Sequence, residues 1–151
     1  MFLLTLSIKF NFCGNYSCWH RGLEELFLQT MTQEFQKIKN NILAQAKYYL
    51  ESADEFYPFG AAIKGDIIIP IGILLDNDRP KSSEVFSVLE KKITEGINNG
   101  DYTIGAIGLN VIINEIDHCL QIKIYDLTET TSSYYQYSKT ENTYIFQEMQ
   151  L

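Results

Sequence analysis

The chain has 151 residues, 46% hydrophobic and 13% aromatic, with 12 Lys plus Arg against 19 Asp plus Glu and a formal net charge of −7. That apolar content excludes a disordered chain, and the length suits one ordinary domain with a single core. The acidic balance opposes the phosphate-neutralising surface that nucleic acid requires, so the expected partner is another protein with basic surface and not a nucleic acid.

Residues 1–30 read as an N-terminal appendage, with 31–151 as a single domain. The first 22 residues hold Cys13, Cys18, Trp19 and His20 and show neither helical nor strand periodicity. Met31-Thr-Gln-Glu-Phe35 starts a helix well, so Met31 is an alternative start of translation. The apolar opening Met1 to Ile8 lacks the preceding positive charge and the cleavage site of a secretory signal. Three cysteines without framework spacing point to free thiols in a reducing cytoplasm. No stretch approaches the ~20 apolar residues that span a bilayer, so no membrane partner is expected.

From Leu23 to Ala53 apolar residues recur every three or four positions, which predicts a long amphipathic helix ended before Pro58. Phe56–Ile63 and Asp66–Leu75 then read as a hairpin turning at Lys64-Gly65. Both strands are almost wholly apolar, which predicts burial on both faces or a position at the centre of the sheet and not an exposed edge. Pro70, lacking an amide hydrogen, marks a bulge or an unpaired side.

Ser82 or Ser83 is positioned to cap a second helix whose buried face is Val85, Phe86, Leu89, Ile93 and Ile97, closed at Gly100. Tyr102–Asn114 is strand-like, with Gly105 and Gly108 marking bulges or close backbone approach. Asp117-His118-Cys119 reads as a hairpin turn before the alternating Leu120, Ile122 and Ile124. Tyr134–Tyr137 and Tyr144–Phe146 form a last hairpin around the loop 139–142. The order α-β-β-α-β-β-β-β implies an α+β fold in two layers, with helices packed on one mostly antiparallel sheet.

Motifs that would carry chemistry are incomplete. Cys13, Cys18 and His20 lack the second ligand pair of a structural zinc site, so neither a metal nor a cofactor is expected. Asp76-Asn77-Asp78 opens like a calcium loop, but Lys81 and Ser87 stand where glycine and a bidentate glutamate belong. Gly105-Ala-Ile-Gly108 has no third glycine and no following helix, unlike a dinucleotide fingerprint. Adjacent residues on a strand point to opposite faces, so His118 and Cys119 cannot pair locally. An enzyme would have to assemble its site around them through the fold.

Two features suit binding instead. The acids Asp76, Asp78, Glu115 and Asp117 would make one patch if the sheet order brought their loops together. Tyr134, Tyr135, Tyr137 and Tyr144 form the densest aromatic cluster, which suits either protein contact or cross-strand pairing. The four acids with Tyr134, Tyr135 and Tyr137 are the candidate partner-binding positions.

The segment Glu55-Phe-Tyr-Pro-Phe-Gly-Ala61 after a long helix resembles one found in a group of small uncharacterised bacterial proteins, a likeness that covers about residues 31 to 149. It implies an α+β fold and a bacterial origin and brings no activity with it. In size, acidity and layout the chain also looks like immunity proteins that neutralise bacterial toxins. In its helix, hairpin, helix, strand order it is similar to roadblock-type scaffold subunits, which implies a possible homo-oligomer. A non-catalytic binding module is therefore the expected function, with a small His118/Cys119 enzyme or a dimeric scaffold as the alternatives.

Overall fold

The computed structural model describes residues 17–115 and 117–151, with side chains from Arg21 onward. The elements are α1 (Ser17–Ala53), β1 (Phe59–Lys64), β2 (Ile67–Ile71), α2 (Ser82–Asn98), β3 (Ile104–Ile113), β4 (Asp117–Tyr125), β5 (Thr130–Thr140) and β6 (Thr143–Met149). The expected α+β class holds. The six strands form one sheet in the order β2-β1-β3-β4-β5-β6, antiparallel throughout.

The chain divides into units Met1–Thr32 and Gln33–Leu151. In the first, the helix begins at Ser17, six residues before the apolar repeat at Leu23 signals it. Leu23, Leu26, Phe27 and Leu28 are exposed there. In the second, α1 buries Ile38, Ile42, Ala46 and Leu50, a stripe of four-residue steps that fits one side of a helix lying on a sheet. Its opposite face is polar and laced with pairs four apart, among them Gln36 with Asn40, Gln45 with Asn41 and Lys47 with Glu51.

Two glycines of β3 show how the layers stack. A β-carbon on Gly105 would strike the Ile93 side chain of α2. One on Gly108, three residues further and so on the other face, would meet the Phe59 ring at 2.7 Å and Ile42 of α1 at 3.1 Å. The helices therefore cover opposite faces of the sheet, which corrects the two-layer expectation. The physical reason is legible in β1 and β3, whose runs Gly60–Ile63 and Ile104–Gly108 are buried residue after residue and need cover on both sides. Both glycines are sites of close approach, as their positions implied.

Several local expectations also shift. β1 is central, but β2 is an edge strand with Ile67 and Pro70 exposed, so continuous apolarity misreads its place while Pro70 reads it correctly. Asp117-His118-Cys119 is not a turn. It opens β4, and the chain reverses at Asn114 and Glu115, both left-handed with φ of 55° and 63°. The cap of α2 is Lys81 and not a serine; its amide donates to the Glu84 carboxylate at 3.3 Å. Gly100, at φ 80°, follows α2 as expected. The last hairpin turns on Glu141 and Asn142 alone, because Lys139 and Thr140 are already paired with Tyr144 and Thr143.

Candidate protein-docking surface

Because neighbouring strands are antiparallel, the β2–α2 connection, the β3–β4 turn and the β5–β6 turn all leave the same end of the sheet. The C-terminus of α1 is fastened at that end too. Asp54, left-handed at φ 60° and closing the helix through its amide to the Leu50 carbonyl, accepts hydrogen bonds from Lys139 at 2.8 Å and Tyr144 at 2.6 Å. Thr143 donates to Glu51 at 2.7 Å. The Lys139 ammonium, then the Tyr144 hydroxyl, hold the Asp54 carboxyl below the usual carboxylate range.

This geometry gathers charge. Nine exposed carboxylates belong to that end, Glu51, Asp54, Glu55, Asp76, Asp78, Glu84, Glu115, Asp117 and Glu141, against the four cations Lys47, Arg79, Lys81 and Lys139. Asp76 and Asp78 on the β2–α2 connection and Glu115 and Asp117 at the β3–β4 turn are thus placed at one end of the sheet by two separate connections. The surplus of five negative charges there is most of the net −7.

A groove of about 200 Å³ opens at the same end, lined by Phe56 and Pro58, by Ser82, Ser83 and Phe86 at the start of α2, and by Leu109, Asn110 and Val111 of β3. Sequence reasoning missed it, assigning Phe86 to the core and Phe56 to a strand. The signal was the Phe56-Tyr57-Pro58 run, which breaks strand geometry just where the groove needs an irregular wall.

The three tyrosines do not form one face. Tyr135 is buried against α1 with the Lys39 ammonium 5.4 Å from its ring centre. Tyr137, on the same face, is half-buried, donates to Asn110 at 3.1 Å and meets the rings of Tyr144 and Phe146 at 6.0 and 5.9 Å. Tyr134 lies on the opposite face, its hydroxyl accepting from Gln121 at 3.1 Å. These contacts match cross-strand and helix packing.

His118 is exposed, whereas Cys119 is fully buried with its sulfur 3.5 Å from that of Met149. Burial, then the charge of Asp117, pushes the Cys119 thiol up, the opposite of what a nucleophile needs. Among the described residues no three His, Cys, Asp or Glu side chains are grouped to hold a metal ion. Cys13 and the side chains of Cys18 and His20 lie outside the described residues.

No family model, no curated protein and no solved structure matches this chain.

Proposed function

We propose that the protein is a non-catalytic, cytoplasmic module that binds another protein, and that its acidic end is the binding surface. The observation that carries the reading is the set of exposed carboxylates that shares one end of the sheet with a groove. Carboxylates steer a basic partner into register, and a groove walled by Phe56, Pro58 and Phe86 gives that partner a place to bury an apolar side chain or the stem of a lysine or arginine. The acids are solvent-exposed and at the rim, so their contribution lies in association rate and selectivity more than in affinity.

The most concrete form of this function is an immunity-type inhibitor that occupies the basic active surface of a bacterial toxin. The bacterial origin implied by the Glu55–Ala61 segment belongs to the same proposal. An enzyme built on His118 and Cys119 is not supported by a buried, proton-retaining thiol beside an exposed imidazole.

The test asks whether a gene beside this chain's encodes a basic protein that the chain binds, with association followed by stopped flow. Reversing Asp76, Asp78, Glu115 and Asp117 together to lysine should slow association by about tenfold or more at low salt and remove most of its salt dependence. Growth protection by co-expression should disappear with it. Unchanged association and unchanged protection would refute the acidic end as the surface.

A further inference from the structure

The two edges of the sheet are built differently. β2 is five residues long and carries Pro70 in its interior, opposite Ala61. β6 is seven residues long, has no proline, and holds a single charged residue, Glu148. Among the described residues its only strand neighbour is β5. An edge without proline, bulge or lysine is a template for another strand.

The register says which backbone groups are open. Thr140 and Thr143 close a two-residue turn, so they are a hydrogen-bonded pair. Alternation along the ladder then turns the amides and carbonyls of Tyr144, Phe146 and Glu148 away from β5.

We infer that β6 pairs antiparallel with β6 of a second copy of this chain, about a twofold axis beside Phe146. In that register the open groups of Phe146 meet their own equivalents, and those of Tyr144 meet those of Glu148 in the second copy. Each Tyr144 then stands opposite Glu148 of the other copy, its phenol still bonded to Asp54 and that carboxylate to Lys39 within their own chains, and no like charges face one another. Ile145, 53% exposed, comes opposite Gln147, and Thr143 opposite Met149. The flanking surface agrees. On the face away from α1, β5 and β6 present Ser132, Tyr134, Gln136, Ser138, Ile145 and Gln147, none charged, and on the other face the one charged residue of β6, Glu148, is paired with Lys39 of its own chain. Depletion of charge with exposed apolar and tyrosine surface is the composition of an interface centre. The strand complements itself, which is why a second copy, and not an unrelated peptide, is the occupant.

Light scattering on the full chain across a dilution series tests this directly. The wild type should weigh twice 17.4 kDa. Glu148→Ala removes the carboxylate and its ion pair with Lys39 but keeps the amide, and should remain a dimer. Glu148→Pro removes the amide that faces the second copy, and Ile145→Lys places a cation on the edge; each should raise the dimer dissociation constant at least about tenfold. Circular dichroism keeps the reading clear, since Ile145→Lys changes an exposed side chain and serves even where Glu148→Pro unfolds. A wild type that is monomeric at every concentration, with the edge filled by this chain's own residues or left free, overturns the inference. So does a folded Ile145→Lys that dimerises as tightly as wild type.

Discussion

Among the described residues four other than glycine hold left-handed backbone, Asp54, Asn114, Glu115 and Glu141, and all four belong to the acidic end. A left-handed L-residue costs about 1–2 kcal/mol, so strain gathers where the carboxylates do. Glu115→Gly relieves it at the β3–β4 turn, offset by the greater freedom glycine has when unfolded, and should stabilise the fold by about 0.5–1 kcal/mol. The same change removes one carboxylate from the docking end and should slow association with the basic partner. Denaturant unfolding and stopped-flow association on one variant would thus move in opposite senses; a destabilised variant would show that the turn is not strained. Asp54 supplies the pH dependence. Its folded pKa lies below the ordinary value near 3.8, so its bonds to Lys139 and Tyr144 stabilise the fold fully above that value and are lost as pH falls through the lower one. The stability difference between wild type and Asp54→Asn should therefore be constant around neutrality and shrink only in acid below about pH 4. A difference that persists at pH 2 would mean the side chain acts through packing and not charge. Neither strain nor pairing was visible in the sequence: asparagine before glutamate suggests a turn only weakly, and Asp54 and Lys139 lie 85 positions apart.

At the scale of elements, legibility followed periodicity. The α1 stripe of Ile38, Ile42, Ala46 and Leu50 and the α2 stripe of Val85, Leu89, Ile93 and Ile97 are both buried as their spacing implied. What spacing could not convey was the side of the sheet each helix takes, because an unbroken apolar strand asks for cover on both faces without saying which helix supplies it. The α2 interface is the place to probe this. Ile93 lies against Gly60 and Gly105, and no larger residue than glycine fits at 105 without moving it. Gly105→Ala should cost about 1–3 kcal/mol by overpacking, and Ile93→Ala about 2–5 kcal/mol by opening a cavity. Combined, the new methyl enters the space that the isoleucine vacates, so the double variant should be less destabilised than the sum by at least about 0.5 kcal/mol. Strict additivity in denaturant unfolding would place α2 away from Gly105. The same reasoning explains the misread edge: β2 is apolar because Ile69 and Ile71 pack beside α2, and apolarity alone cannot distinguish that from a central strand.

For the whole molecule, charge and core are laid out separately. The core is the sheet between α2 and the Gln33–Ala53 part of α1, whereas the net negative charge is concentrated at one end of the strands. That separation lets the acidic end vary without touching what holds the fold together. It was half legible: the acidic loops were evident as sequence, but their gathering depended on an antiparallel order that no local pattern specifies. The division between Thr32 and Gln33 falls inside one helix, and the buried stripe of that helix belongs to the second unit. Among the described residues every buried side chain of α1 lies beyond it, the first being Ile38, while Leu23, Leu26, Phe27 and Leu28 are exposed. A chain starting at Met31 should accordingly keep a cooperative unfolding transition, with stability within about 1 kcal/mol of the full chain, because a helix in a protein is held chiefly by its packed face. Its far-ultraviolet dichroism should lose helical signal corresponding to the removed turns, and its sheet signal should be unchanged. Loss of cooperative unfolding would show that residues before Met31 contribute to the core, and would make the first 30 residues part of the domain.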